Sequence, residues 1–270
     1  MQSSLSQVLA DFPAEVPDQP ELVRCEREGD LVWLTIERAE VMNCLSFPTL
    51  KRLRTLCAQL REDLSIRAVL ITGSGSKAFC AGADLKERKS MAPEWVPIFV
   101  KNIRRTMDDV EALPQPTIAV VNGVAFGGGT ELLLSCDLRI AASTAQFGLT
   151  ETTLAIIPGA GGTQRLPRLI GKSRAKDLIL TGRKLDATEA ERIGLVNRLS
   201  EADNLRNDAR SLAQTIAQNG PGAVRAAKAA IGDLTGAWVV HGIGAVWWNT
   251  EVAGAAGAGA GAAPGAAPGA

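Results

Sequence analysis

The sequence predicts an α/β fold with a core of parallel strands, followed by a smaller helical region. Two strand–glycine-turn–helix units stand in succession, one beginning at Ala68 and one at Thr117. Such alternation is the pattern of parallel-sheet folds. The front of the chain is rich in β-type runs, whereas after Pro158 it becomes mainly helical. With 270 residues, 46% of them hydrophobic and 21% charged, the chain can bury a sizeable core without disulfides.

Residues 1–20 read as an irregular lead-in, because Pro13, Pro17 and Pro20 oppose a helix. Residues 22–37 alternate apolar and polar positions on either side of Gly29-Asp30, the pattern of a β-hairpin. A loop at 38–46 follows. Ser46 is a candidate N-cap, and Pro48 falls early in a helix that continues to Asp63. Leu50, Leu53, Leu56, Cys57 and Leu60 share its apolar face, with Lys51, Arg52, Arg54 and Arg61 on the others. Residues 68–72 form a short β-rich run closed by Gly73, a buried parallel strand. Helical periodicity over 92–113 ends at Pro114 and Pro116. A second buried strand is expected at 117–123, a glycine-opened helix at 127–137, and strand-like runs at 138–142 and 145–147. Helices are expected over 163–170, 172–182, 187–193, 201–218 and 221–232, with a brief strand at Leu195-Val196. The expected organisation is a lead-in (1–20), an α/β core (21–197), a C-terminal helical region (198–252) and a tail (253–270). The tail contains only Ala, Gly and Pro. It has nothing to bury and is expected to be disordered.

Several function classes are set aside. Basic and acidic residues balance at 29 each, so nothing pulls the whole chain towards nucleic acid or an anionic membrane. No apolar run approaches the roughly 20 residues that span a bilayer. The N-terminus has no secretory apolar stretch and lacks the arginines of a mitochondrial presequence. Five cysteines without CxxC spacing read as reduced thiols, mostly small apolar residues, rather than a disulfide framework or a zinc site. Tyrosine is absent and His241 is the single histidine. Acid–base work therefore falls on carboxylates, lysines or cysteines, not on a Ser-His-Asp triad or a multi-histidine metal site. Both GxxxxGK[ST] and GxGxxG are missing, which excludes nucleotide-phosphate sites of those two kinds.

The chemistry concentrates in residues 121–165. Gly127-Gly128-Gly129 stand directly before a helix. Free N–H groups at a helix start attract negative charge, and glycine lets a ligand approach the backbone. The loop at 80–84 can present a further N–H, and two converging donors make an oxyanion hole. The same glycines would also serve close helix–strand packing alone. Glu131 lies one turn into that helix, and Glu151 follows a short strand. Facing one pocket, they could supply one base and one acid, provided their environments separate their pKa values. Each also fits as an ordinary acid near a helix start. The second glycine cluster, at 159–162, reads as backbone packing beside the pocket.

Ordered motifs carry a resemblance to a known family. RAEVMNCLS (38–46), FCAGADLKE (79–87), NGVAFGGGTELLLSCDLRIA (122–141), FGLTETTLAIIPGAGGTQRLPRLIG (147–171) and AKDLILTGRKLDATEAERIGLVN (175–197) resemble the crotonase, or enoyl-CoA hydratase/isomerase, superfamily. The resemblance spans about residues 21–232 and is strongest to methylglutaconyl-CoA hydratase-like members. It implies a ββα-repeat spiral core of the crotonase type. It places oxyanion-hole amides at Ala83 and Gly128. It makes Glu131 the activator of a water and Glu151 the proton donor. Coenzyme A contacts are implied at Ala81, Asp84, Leu85 and Lys86, with Lys86 near the phosphates.

The implied activity is hydration of the 2,3 double bond of a short or branched enoyl-CoA, 3-methylglutaconyl-CoA among them. No metal and no cofactor are implied, coenzyme A being part of the substrate. A homotrimer or dimer of trimers is implied. The expected location is the cytoplasm, or the mitochondrial matrix if a presequence has been removed. Neither membrane nor nucleic acid is an expected partner. The alternatives are an isomerase or decarboxylase acting on acyl-CoA, or a non-catalytic acyl-CoA or RNA-binding module. For RNA the nearest candidate is the basic face of Lys51, Arg52, Arg54 and Arg61. The chain departs from the family pattern at Val41, where many members carry a lysine near coenzyme A. It departs again after about Ile231, where a stretch with Trp238, Trp247 and Trp248 stands in place of helices that cover the site.

Overall fold

The structure, a computed structural model, describes residues 4–232. The tail at 253–270, His241 and the three tryptophans Trp238, Trp247 and Trp248 lie outside the described residues.

The N-terminal segment corrects the expected irregular lead-in. It contains a helix, α1 (Leu5–Ala10), that ends before the first proline. Ser4 and Gln7 form a reciprocal capping box at its start. Then β1 (Val23–Glu28) and β2 (Leu31–Ile36) make the expected antiparallel hairpin. Gly29 turns it with a left-handed φ of 66°. Helix α2 (Phe47–Glu62) begins where Ser46 caps the amide of Thr49.

Next come β3 (Ala68–Gly73), β4 (Ala78–Cys80), α3 (Leu85–Ser90) and α4 (Val96–Glu111). The second unit supplies β5 (Thr117–Val121), β6 (Val124–Phe126) and α5 (Gly128–Leu134), a helix shorter than the 127–137 expected. The chain continues through β7 (Leu138–Ala142), β8 (Gln146–Gly148), α6 (Gly162–Ile170) and α7 (Lys172–Thr181). It then forms β9 (Leu185–Asp186), α8 (Ala187–Arg192), β10 (Arg198–Ser200), α9 (Leu205–Ala217) and α10 (Pro221–Gly232). The strand expected at Leu195-Val196 forms three residues later, as β10. Leu195 and Val196 are buried in the core instead.

Two sheets result. The larger has the order β1-β2-β3-β5-β7-β10, and all its pairs but the first are parallel. Its central strands β2, β3, β5 and β7 are buried on both faces, whereas the edge strands β1 and β10 carry exposed polar residues. Trp33, Leu70, Ile118 and Ile140 pack with Leu205 and Leu212 of α9. Alternate residues, Leu34, Ile71, Ala119 and Ala141, point into the main core. The smaller sheet has the order β4-β6-β8-β9. Through β10 and α9 the compact unit extends past residue 197 to Pro221, and the described residues 222–232 fall in a second unit. No helix among the described residues is long and apolar enough to cross a membrane.

The basic residues of α2 do not form a solvated face. Arg54 is fully buried. It donates to Asp109 at 2.7 Å and to Asn102 at 2.6 Å, both on α4, and pairs with Asp11 at 2.9 Å. Arg61 is buried as well, and Lys51 donates to the carbonyl of Val16. Arg54 and Lys51 thus fasten α4 and the N-terminal segment to α2.

Candidate active site

The strands β4, β6 and β8 run parallel in the smaller sheet, so their C-terminal ends share one edge. Ligands of open parallel sheets bind beyond that edge. Here each strand passes the chain into a segment that lines one cavity: residues 81–83 after β4, Gly127 and Gly128 after β6, and Thr150 and Glu151 after β8.

The first segment turns at Gly82, with φ 102°, and is pinned on one side by a parallel bridge between Ala83 and Leu45. Leu45 donates to the Gly82 carbonyl at 2.8 Å, and Asp84 donates to the Leu45 carbonyl at 3.0 Å. In such a bridge the bonds to Leu45 come from Gly82 and Asp84, so the N–H of Ala83 is left unused by Leu45. The N–H of Gly128, the first residue of α5, has no intrahelical acceptor. The two backbones lie side by side: a methyl group on Gly128 would sit 3.6 Å from the Ala83 nitrogen. Two free amide donors therefore stand together at the cavity wall.

The three glycines meet different demands. Gly127 adopts φ 50° and ψ −123°, a conformation that side-chain-bearing residues avoid. Gly128 leaves the Ala83 amide open. Gly129 packs so closely that a methyl group there would lie 1.9 Å from the Cys80 carbonyl oxygen. The close helix–strand packing reading holds at Gly129.

Glu131 is 3% exposed. Its Oε1 accepts two hydrogen bonds of 2.8 Å, from the amides of Ala160 and Gly162. The second glycine cluster is therefore more than packing. It is the N-terminus of α6, and the anion it binds is the Glu131 carboxylate. Burial pushes the Glu131 carboxyl above its ordinary range, while these two amides and the charge of Arg165 oppose that shift.

Glu151 opens a single 3-10 turn and is 9% exposed. Its Oε2 is buried and has no hydrogen-bond partner among the described residues. Burial, and then the neighbouring Glu131, push its carboxyl up to about 7. The two acids thus have the separated environments that a base and an acid require.

The cavity measures about 300 Å³. Of the residues expected from the sequence, Ala81, Ala83, Leu85, Gly128, Glu131 and Glu151 line it together. Asp84 and Lys86 are not among the lining residues. Asp84 caps α3 through the amides of Lys86 and Glu87 and pairs with Arg38 at 2.9 Å. Lys86 is exposed. Phe99, Val100 and Ile103 of α4 form an apolar wall. Arg88 also lines the cavity and has no ion pair among the described residues. It lies one turn after Leu85 on α3, so the two share a face. That spacing was the available signal for Arg88. Among the described residues, no group of three or more His, Cys, Asp or Glu side chains could hold a metal ion.

Comparison with known proteins agrees with this arrangement. Residues 26–235 match the family model described as enoyl-CoA hydratase/isomerase. The mitochondrial methylglutaconyl-CoA hydratase of Mus musculus is 46% identical over 227 residues, covering 82% of this chain and 72% of its own. The Homo sapiens protein named enoyl-CoA hydratase domain-containing protein 2, mitochondrial, is 48% identical over 202 residues, covering 73% and 69%. The crystal structure of enoyl-CoA hydratase from Bacillus anthracis matches with a TM-score of 0.77 at 52% identity, covering 78% of this chain and 83% of that one. These matches show that the chain belongs to the enoyl-CoA hydratase/isomerase family, and it has the crotonase fold.

Proposed function

We propose that this protein is an enoyl-CoA hydratase, adding water across the 2,3 double bond of a short or branched enoyl-CoA. The observation that carries the reading is the contrast between two buried carboxylates on one cavity. Glu131 accepts two amides, which favours its ionised form. Glu151, with an unpartnered buried oxygen, favours its protonated form.

In this reading the thioester carbonyl accepts hydrogen bonds from the amides of Ala83 and Gly128. Glu131 removes a proton from water as the water oxygen bonds to C3. The electrons of the double bond move towards the thioester oxygen, giving an enolate-like species that the two amides stabilise. Glu151 then gives its proton to C2. Water and proton arrive from the side where the carboxylates lie, so the addition is syn. Transfer of a proton from Glu131 to Glu151 through the next water restores the starting state. No residue is required to hold a metal or a separate cofactor.

The apolar wall from α4 suits a short or branched acyl group. Arg88, an arginine on that cavity without an ion pair among the described residues, supports an acyl group that ends in a carboxylate. 3-Methylglutaconyl-CoA is a substrate of that kind. Assembly as a homotrimer or dimer of trimers belongs to the same proposal, and light scattering of the full chain tests it.

The activity is tested by adding enzyme to crotonyl-CoA, following loss of the enoyl-thioester absorbance and identifying the product by mass. Gain of one water supports the reading. A shifted double bond or loss of carbon dioxide from a suitable thioester, without hydration, would assign a sibling reaction instead.

A further inference from the structure

The carboxylate of Glu131 is held by the backbone, and that stretch of backbone is itself held by one side chain. The amides of Ala160 and Gly162 grip Oε1 of Glu131. The carbonyl of Ala160 accepts from Nη1 of Arg165 at 3.0 Å. Arg165 is 13% exposed, and its other donors reach α4. Nη2 donates to Asp108 at 2.8 Å and to Glu111 at 2.6 Å, and Nε donates to Glu111 at 3.0 Å. The guanidinium passes directly over Gly161, where a methyl group would lie 2.1 Å from Nη1. Gly161 also has a left-handed φ of 112°. The turn is shaped to admit this one side chain.

The same helix α4 supplies Phe99, Val100 and Ile103 to the cavity. A single planar fork thus joins three things: the turn that grips Glu131, the start of α6, and the helix that forms the apolar wall. A lysine cannot reproduce this, because it offers one point charge rather than donors fixed in a plane. Arg165 makes no hydrogen bond to Glu131 itself.

We propose that Arg165 is a positioning residue for the reaction, setting the turn at 160–162 so that two amides converge on Glu131 and tying that turn to the substrate-facing helix α4. The inference rests on the hydratase reading for its kinetic test. The charged groups that bear on Glu131 are Arg165 from α6 and Glu151 across the cavity, and Arg88 of α3 lines the same cavity. Without Arg165, Glu131 loses both a nearby positive charge and the fixed geometry of its amide donors. Its ionised form becomes less favoured.

The test compares wild type, Arg165→Met and Arg165→Lys as full chains. In Arg165→Met, kcat is expected to fall about 10- to 100-fold, the size of effect that misplacement of a reacting group produces. KM should stay within about threefold, because Arg54 of α2 still holds α4 through Asp109 and Asn102, whereas among the described residues no other side chain donates to the turn that grips the reacting acid. The acid limb of kcat should move to higher pH. Arg165→Lys should recover part of the limb shift but only part of kcat. A second readout does not depend on activity: the carboxyl ¹³C titration of Glu131, identified by its absence in Glu131→Gln, should also move to higher pH. A variant that melts earlier but keeps both the Glu131 titration and kcat per folded molecule would overturn the proposal and leave Arg165 as a structural bolt. If the wild type hydrates no enoyl-CoA, the hydratase reading fails separately, and the titration still decides the positioning role.

Discussion

The amide of Gly162 donates to Oε1 of Glu131 at 2.8 Å, so the first residue of α6 binds the side chain of α5 that faces the cavity. A methyl group at Gly162 would lie 3.0 Å from that same oxygen, 3.0 Å from Cβ of Pro158 and 3.1 Å from Cδ1 of Leu149. The methyl group would be crowded on three sides, so its neighbours, the carboxylate among them, would have to give. Gly162→Ala is therefore expected to lower kcat about 10- to 100-fold while circular dichroism remains that of the folded protein. Steady-state kinetics on the purified variant check this.

The two carboxyls also set a pH profile. Glu131 must be ionised to accept a proton from water, and Glu151 must carry one to give to C2. With the Glu151 carboxyl pushed up to about 7, kcat/KM should fall as pH rises through that value. It should fall on the acid side as Glu131 becomes protonated. Removing the neighbouring charge, as in Glu131→Gln, should move the Glu151 titration down towards the ordinary carboxylate range. An NMR titration of Glu151 in the two proteins shows the direction.

Folding stability responds to the same group with a definite sign. A carboxyl whose folded pKa lies above its unfolded value binds its proton more tightly when folded. For Glu151 that contribution is fully present below the unfolded value of 4.5 and is lost as pH rises through about 7. Above that pH, holding an ionised Glu151 in its buried setting costs up to about 3 kcal/mol. Glu151→Gln should therefore melt several degrees above wild type at pH 8, and the gap should close as pH falls towards 4. Thermal unfolding at the two pH values tests it.

Arg88 makes a prediction about substrate choice. A hydrogen bond to a charged group contributes about 1.5–3 kcal/mol, or about 10- to 100-fold in rate. The ratio of kcat/KM for glutaconyl-CoA to that for 2-hexenoyl-CoA, a neutral thioester of similar length, should fall by that factor in Arg88→Gln. Because both substrates are measured on one preparation, loss of folded enzyme cancels. An unchanged ratio would remove Arg88 from substrate selection.

The elements that were legible in the sequence are those fixed by near neighbours. The hairpin follows from alternation around Gly29-Asp30, and α2 follows from Ser46 and Pro48. The three-residue strands β4 and β6 were not legible, since each becomes a strand only by pairing with a distant partner. Helix α1 was hidden by prolines that in fact lie beyond its end. The basic residues of α2 were visible as charges, but Asp109, the partner of Arg54, lies 55 residues away. Glu131 and Glu151 became candidates through the resemblance of the motifs at 122–141 and 147–171, since on its own each also fitted as an ordinary acid near a helix start. Their difference in environment was not legible, because it depends on Ala160 and Gly162 folding back onto Glu131. The glycine cluster at 159–162 held the same signal as Gly127-Gly128-Gly129. What it lacked in the sequence was a visible anion.

The central claim is that Glu131 and Glu151 together hydrate an enoyl thioester. It is tested most directly by kcat for crotonyl-CoA hydration in wild type, Glu131→Gln and Glu151→Gln, all checked for folding. Each single variant should lose about 10²- to 10⁴-fold, the usual effect of removing a catalytic base or acid. Turnover at the wild-type rate in both variants would contradict the account.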